Sequence, residues 1–350
     1  DGYFILYKRI YRAVSGSTGA SYQLVAEIPI YQTSLTDSLT DAQLGEALAS
    51  SDYDLPPNDL RGILALPNGI MAGFSKNQLC FSATYKPHAW PVGYRLSVDT
   101  DIVAIGAIDA NVIVFTQAFP YVASGTNPAA YTLRKLEVPQ GSVSKRSVGY
   151  LKGVGVLFGS PDGLQSVSAV GEITNQTETL FARADWQALN PSTIVAAVHD
   201  DRYFGLRTDD NGGQTGFVME LKANGFGYVT LDFGGVTNYS NPALDELFAL
   251  RGSTIYQFDA SVAPLSYTWR SKLYLLPVES SFNLAQVKAY DYDDLTLKLY
   301  ANGVLFYTKV VRSQQEFVIP ATPMRSLQIE ITGSSRVQTV QVVQEPEELQ

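Results

Sequence analysis

The sequence predicts an all-β protein whose centre is a β-propeller-like array. Two observations support this prediction, the composition of the chain and the spacing of its short apolar segments. Hydrophobic residues make up 45% of the 350 residues and charged residues only 17%, with 21 Tyr and 16 Phe. This composition is poor in the Lys and Glu that favour helices and rich in residues that suit pleated surfaces. We therefore expect mostly strands and turns.

The spacing is clearest in residues 62–81, where the pattern predicts three short strands joined by two tight turns. Comparable apolar segments begin near Ile70, Val112, Val154, Tyr203 and Leu247, at a period of roughly 42 to 49 residues. Propeller blades repeat at such a period, and one small sheet cannot bury both of its faces alone. We expect about five blades between residues 55 and 275, with a generic β-sandwich as the alternative.

Turn residues lie where the predicted strands must reverse. Gly and Asn are favoured at such positions because they tolerate positive φ. These turns are residues 67–69, 75–77, 160–163, 209–213 and 251–252. Each lies beside an apolar segment, which supports the repeat.

Two further modules flank the array. Residues 3–13 and 22–30 predict a hairpin, and with Thr36-Asp37 they resemble the last strands of a fibronectin type III domain, which would begin before residue 1. After residue 282 the alternation is cleaner, and Asn302-Gly303 between alternating segments predicts a small β-sandwich. The acidic tail, residues 345–350, is expected to be exposed or docked on a partner.

The predicted organisation therefore has three parts. Residues 1–50 form an N-terminal β module, with a fibronectin-type-III-like hairpin, and a linker. Residues 51–275 form the propeller, and residues 276–350 form the C-terminal sandwich. One helix is predicted over residues 178–189, where Phe181 and Trp186 lie near one apolar face. This helix either fills a gap in the core or packs on a neighbouring subunit.

The sequence offers no catalytic, cofactor-binding or metal-binding residues, and we expect the chain not to be an enzyme. The two histidines, His88 and His199, lie in different predicted blades, and no Gly-x-Ser-x-Gly nucleophile elbow occurs. The single cysteine, Cys80, is interpreted as a core residue and leaves no partner for an intramolecular disulfide. A pair of carboxylates for glycoside hydrolysis is still an alternative, because in a propeller the two residues would come from different blades and no sequence spacing would show them.

Charge and terminal features limit the choice of partners. The net charge of −9 and the pI of about 4.8 disfavour binding to nucleic acid through phosphate contacts. An acidic surface would let duplex DNA pass without holding it. The acidic turns at residues 99–101, 209–210 and 291–294 are candidates for such a surface, with ordinary solvated turns as the alternative.

No apolar run reaches the length of a membrane span. The chain opens on Asp1-Gly2, so we expect elements upstream of residue 1.

Two pairs of passages resemble a known family. They are residues 60–82 with 87–91, and residues 119–127 with 142–147, and the similarity continues through residues 160–163, 186–192 and 269–272. These passages resemble virion proteins of tailed bacteriophages, of the tail nozzle or tail tube type. The resemblance covers most of the chain from about residue 45 onward.

The resemblance implies a structural subunit of the virion tail, assembled in the host cytoplasm as a homo-oligomeric ring, with a hexamer expected. Its partners would be further copies of itself and the adjacent tail and adaptor proteins, and double-stranded DNA would pass through the ring without specific binding. The resemblance implies no catalytic residue and no cofactor. The alternatives are a propeller that binds or cleaves glycans, for which Tyr85 and Trp90 would suit a sugar, and a receptor-binding tail module.

Overall fold

The computed structural model describes residues 5–16, 19–51, 53–222 and 225–348. Strands and turns account for most of these residues, so the predicted all-β class is confirmed. The chain divides into two compact units, Asp1–Phe258 and Asp259–Gln350.

The first unit begins with an antiparallel hairpin of β1 (Tyr7–Gly16) and β2 (Gly19–Pro29), as the sequence predicts. Residues 45–48 add backbone hydrogen bonds along β2, among them Gly45 N–H to Leu24 O at 2.8 Å. Arg12 ties the hairpin to the following segment through Asp37 and Asp41, both at 2.8 Å. The predicted segment at residues 3–13 lies partly outside the described residues, and the fibronectin type III assignment stays a prediction.

Five antiparallel sheets follow in chain order. The first contains β3 (Arg61–Ala65), β4 (Met71–Ser75), β5 (Gln78–Phe81) and β6 (Arg95–Ser97), and the second contains β7 (Ile102–Ile108), β8 (Asn111–Thr116), β9 (Tyr121–Ser124) and β10 (Thr132–Lys135). The third contains β11 (Gly149–Leu151), β12 (Gly155–Ser160), β13 (Gly163–Val167) and β14 (Ile173–Asn175). The fourth contains β15 (Val195–His199), β16 (Arg202–Thr208), β17 (Gln214–Lys222) and β18 (Gly225–Leu231), and the fifth contains β19 (Thr237–Asn241), β20 (Glu246–Arg251) and β21 (Thr254–Gln257).

These sheets form the predicted propeller-like array. The first strand of each sheet contacts the first strand of the next, from β3 through β19, which places these strands on the inner side of the array. Apolar side chains pack between the second and third sheets, and among them the rings of Phe115 and Phe158 meet with centroids 4.4 Å apart. Burial of both faces of each sheet therefore depends on its neighbours.

The predicted helix is shorter in the structure than in the sequence analysis. Helix α1 spans Arg183–Ala188, whereas residues 176–180 form turns. Thr177 explains the difference, because its hydroxyl accepts a hydrogen bond from Leu164 N–H at 3.0 Å and so ties this segment to β13. Trp186 is fully buried and its Nε1–H donates to Ser160 O at 2.8 Å. The helix therefore contributes to the core, the first of its two predicted roles.

The second unit is a β-sandwich. One sheet has the order β22 (Tyr267–Arg270), β28 (Met324–Gly333), β25 (Leu295–Ala301) and β26 (Val304–Val310), with β23 (Tyr274–Ser280) also paired to β28. The other sheet has the order β27 (Phe317–Val318), β24 (Leu284–Ala289) and β29 (Val337–Val343). Leu295, Leu297 and Leu299 alternate into a core shared with Val287 of the second sheet. Asn302 and Gly303 form the predicted turn, with φ of 50° and 81°.

The boundary between propeller and sandwich differs from the predicted one at residue 275. Strand β22 pairs with β28, with Trp269 opposite Ile331, so residues 259–275 belong to the second unit. Since β22 follows β21 directly in chain order, its position in the sequence suggests a blade strand, and only its pairing shows otherwise.

Candidate functional site

The main candidate surfaces are two exposed segments that follow one another in the chain, residues 251–258 of the first unit and residues 259–270 of the second, which together we call the exposed run. It includes β21 and β22, and every residue of both strands is exposed. Seven large hydrophobic side chains lie in it: Ile255, Tyr256, Phe258, Val262, Leu265, Tyr267 and Trp269. Strands that belong to a core bury at least one face. The exposed run has the apolar composition of such strands, although all of its residues are exposed.

Both strands of the exposed run are sheet edges. Strand β21 pairs with β20 and is the last strand of the fifth sheet, which has three strands where each of the other four sheets has four. In the second unit, β22 pairs with β28 alone among the described strands. Open edges of this kind are a ready template for pairing with another chain.

A charged cluster lies on the polar face of the second unit, next to β22. Glu330 accepts hydrogen bonds from Arg270 Nε at 2.9 Å, Lys298 Nζ at 2.9 Å and Tyr300 OH at 3.1 Å, and only 6% of its side chain is exposed. Burial by itself would raise the pKa of Glu330, but the hydrogen bonds from Lys298, Arg270 and Tyr300 together hold the pKa below its ordinary value. The cluster fixes β22 to β28 and β25, so the edge strand is held in place.

A second candidate surface is an aromatic group at the start of the propeller. The rings of Tyr53 and His88 meet edge to face at 5.5 Å, and Lys86 Nζ lies 4.5 Å from the Tyr53 ring centroid. Tyr85 is 80% exposed and its N–H donates to Gly69 O at 2.7 Å. Trp90, which the sequence analysis offered as a sugar platform, is buried, and its Nε1–H donates to Pro87 O at 2.9 Å. Its indole face is therefore not available to a ligand.

The residues that the sequence analysis considered for chemistry do not come together. His199 Nδ1 lies 3.2 Å from Ser240 Oγ on the neighbouring sheet, whereas His88 belongs to the aromatic group. Cys80 is buried, and this burial raises the pKa of its thiol. Within the described ranges, no group of three or more His, Cys, Asp and Glu side chains is placed to hold a metal ion.

Two of the acidic turns use a carboxylate in hydrogen bonds with neighbouring groups of the same chain. Asp99 accepts hydrogen bonds from Lys135 Nζ and Tyr121 OH, both at 2.8 Å. These two bonds lower the pKa of Asp99, and the bond from Lys135 has the larger effect. Asp209 accepts from Asn211 N–H at 2.9 Å and Gly213 N–H at 2.7 Å, which closes its own turn. These two turns therefore have structural roles as well as charge.

The inner strands of the propeller carry no carboxylate. Strands β3, β7, β11, β15 and β19, all within the described residues, contain neither Asp nor Glu. A polar depression of about 440 Å³ lies elsewhere, between residues 58–59 and the turn at 75–78, where Ser75 Oγ donates to Asp59 at 2.6 Å. Any carboxylate pair facing the axis would have to come from the loops at the strand ends.

In the described parts of the chain, no helix has the length and apolar character needed to cross a membrane.

No known family model matches the chain, and no curated protein sequence matches it. Among solved structures, an exo-β-1,3-galactanase from Phanerochaete chrysosporium with β-1,3-galactotriose is 10% identical, and the match covers 80% of this chain and 95% of that chain at a TM-score of 0.29. The same enzyme with galactose gives 12% identity, 80% and 95% coverage and a TM-score of 0.26. The AfRom2 CNH domain gives 10% identity, 75% and 91% coverage and a TM-score of 0.36.

These matches contradict the prediction that the chain is not an enzyme, since three of the similar structures are exo-β-1,3-galactanases. The prediction was wrong in its reasoning, because a missing nucleophile elbow and a lack of His and Cys clusters do not bear on glycoside hydrolysis. That reaction needs two carboxylates, which different blades can supply. At TM-scores below 0.5, the similarity carries no argument about a reaction or substrate of this chain.

Two features of these surfaces escaped the sequence analysis. The exposed run was not recognised, because apolar strands with turns predict a core strand and an exposed edge equally well. The Glu330 cluster joins residues up to 60 positions apart in the sequence. Its only sequence signal is a charged residue inside the alternating segment 327–331, which places Glu330 on the polar face.

Proposed function

We propose that this chain is a structural subunit of a bacteriophage tail, a nozzle or tube component that assembles with further copies of itself into a ring. The observation that supports the proposal is the exposed run, 251–270, with its seven large hydrophobic side chains. Each unit thus exposes several large apolar side chains along an open strand edge, and subunit interfaces are enriched in Tyr, Trp and Phe. The sequence resemblance to tail proteins is the reason for proposing a bacteriophage tail and not another kind of oligomer.

The charge of the chain suits such a role. A net charge of −9 disfavours tight contact with a passing duplex, because few cations are available to replace the counterions of DNA. Among the basic residues, Arg12 and Lys135 are already paired with carboxylates of the same chain. A ring built from such subunits would let DNA pass without holding it.

The mass of the full chain in solution tests the proposal. Mass photometry and native mass spectrometry should find a closed oligomer of the 38.2 kDa chain, and electron microscopy should find a ring. The variant carrying Ile255→Ala and Trp269→Ala should assemble at least tenfold more weakly. The matched control carries Tyr85→Ala and Val170→Ala, which change two residues that are exposed outside the run, and it should assemble normally. A chain that stays monomeric at all concentrations would contradict the proposal.

A glycan-binding or glycan-cleaving propeller is the second candidate. The aromatic group of Tyr53, Lys86 and His88, with exposed Tyr85 beside it, supports this candidate, because sugars stack on aromatic rings and bond to the polar groups at their rims. Glycan-array binding and hydrolysis of β-linked galactans test it. Binding or turnover that is lost in Tyr53→Ala and kept in Trp269→Ala would favour this candidate over the first.

A further inference from the structure

Among the described strands, the fifth sheet of the propeller has three, whereas each of the other four sheets has four. In those four sheets the chain returns after the third strand to form a fourth, namely β6, β10, β14 and β18, of 3, 4, 3 and 7 residues. After β21 the next strand in chain order is β22, with 4 residues, but it pairs with β28. The outer edge of β21 is therefore an open position of the propeller's own repeat.

The unpaired backbone groups on β21 can be identified from the register. The Phe258 N–H donates to Leu247 O at 2.8 Å, and hydrogen-bonded pairs alternate along an antiparallel ladder. Thr254 and Tyr256 therefore direct their N–H groups toward β20. Ile255 and Gln257 direct theirs away from the sheet.

Strand β22 has a matching edge. The Ser271 N–H donates to Ile329 O at 2.8 Å, so the same alternation directs the N–H groups of Tyr267 and Trp269 toward β28. Thr268 and Arg270 direct theirs outward. Each strand thus presents two outward N–H groups, two residues apart, and all four residues of each strand are exposed.

We infer that the outer edge of β21 pairs with β22 of a second copy of this chain, so that each copy completes the fifth sheet of its neighbour. This inference rests on the proposed function, and it names the strands through which the copies join. Strand β22, which follows β21 in chain order, then serves as the fourth strand of the neighbouring copy's fifth sheet, as in a domain swap. The contact covers Ile255 and Tyr256 of one copy with Tyr267 and Trp269 of the other.

A second copy is favoured over another partner because one chain carries both halves of the contact. The exposed run contains an open edge on each side of the 258–266 segment, and each edge strand has 4 residues, within the range of 3 to 7 residues of the fourth strands in the complete sheets. Such a contact is head to tail, and repeated head-to-tail contacts close into a ring when the rotation between copies allows it.

Cross-linking between marked copies tests the inference. Cys80 is buried, so a cysteine introduced on the surface is the reactive one. In antiparallel pairing, the outward N–H groups set Tyr256 opposite Trp269 on one face of the shared sheet. Chains with Tyr256→Cys are mixed with larger, tagged chains carrying Trp269→Cys and treated with a short bismaleimide. We expect a cross-link between the two kinds of chain that forms at least tenfold faster than in the control mixture, where Val262→Cys replaces Tyr256→Cys. Equal rates in both mixtures would overturn the inference.

A second pair of variants tests the outward N–H of Ile255. Ile255→Pro deletes an outward N–H and leaves the bonds to β20, whereas Ile255→Val keeps this N–H. We expect Ile255→Pro to weaken assembly at least tenfold at unchanged thermal stability, and Ile255→Val to assemble like the parent chain. A ring that forms without the cross-link and tolerates Ile255→Pro would refute the strand pairing and leave the proposed function standing. A monomeric chain would refute both, and a cross-link within one dilute chain carrying both cysteines would place β22 on its own β21.

Discussion

Trp186 is buried and Trp269 is exposed, so the same substitution at each position tests two properties separately. Trp186→Phe tests the stability of the single chain, and Trp269→Phe tests assembly. Trp186 is fully buried among Leu157, Tyr203 and Phe217, and its Nε1–H donates to Ser160 O at 2.8 Å. Trp186→Phe removes this donor and leaves unfilled volume. Trp269 is 48% exposed, so Trp269→Phe changes little that is buried in the single chain.

The expected size of the effect follows from these contacts. Loss of the hydrogen bond to Ser160 costs about 1 kcal/mol, and the smaller ring in a closed core costs about 1 to 2 kcal/mol. Trp186→Phe should therefore lower the free energy of unfolding by about 2 to 3 kcal/mol, which corresponds to about 4 to 12 °C in Tm for a unit of this size. Trp269→Phe should stay within about 0.5 kcal/mol of the parent chain.

Urea unfolding followed by circular dichroism measures both variants without relying on tryptophan emission. Because the chain has two units, the comparison uses the transition that Trp186→Phe shifts, and each unit is fitted separately. Equal unfolding midpoints for Trp186→Phe and Trp269→Phe would refute the assigned role of Trp186. Sedimentation of the same two proteins should show the reverse order, with assembly weakened by Trp269→Phe alone.

Three further outcomes are expected. Glu330→Gln should destabilise the second unit most at neutral pH, because a carboxylate whose pKa is lowered by folding adds stability above its unfolded pKa of about 4.3 and loses it as the pH falls through the folded pKa. The difference from the parent chain should shrink in thermal melts as the pH falls below about 4.3 and on through the lowered folded pKa, and Glu316→Gln, at an exposed position, serves as the matched control. Gly141→Ala should destabilise the first unit by about 2 kcal/mol or more, since its Cβ would lie 2.0 Å from Gln117 O, whereas Gly93→Ala meets no atom within 4 Å and should be neutral in the same melts. The isolated chain should bind duplex DNA weakly even at low salt, and a gel shift with tight, steeply salt-dependent binding would contradict this.

Much of the propeller could be predicted because local chemistry determines its turns. Pro161-Asp162 joins β12 to β13 in the propeller, with Ser160 paired to Gly163, and Asn302-Gly303 joins β25 to β26 in the second unit. Pro and Asp are common turn residues, and Asn and Gly suit the positive φ of positions 302 and 303, so the sequence carries both signals directly. The all-β class and the number of repeating sheets follow from these turns.

The rest depended on contacts that no local pattern contains. The helix at residues 178–189 was overextended because the segment before α1 is anchored to β13 by the hydrogen bond from Leu164 N–H to the Thr177 hydroxyl, a contact 13 positions apart in the sequence. The propeller boundary was misplaced because β22 pairs with a strand some 60 residues later. The exposed run was missed because the apolar pattern of β21 specifies a strand without specifying which chain covers it.

The three tryptophans differ in burial, so intrinsic tryptophan fluorescence can report on assembly. Trp90 and Trp186 are buried, and Trp269 lies in the exposed run. Collisional quenching by iodide or acrylamide should therefore report almost entirely on Trp269, with emission at longer wavelength than that of the other two. If copies join through β22, the quenchable fraction should fall with rising protein concentration, and its midpoint would give the assembly constant without any label.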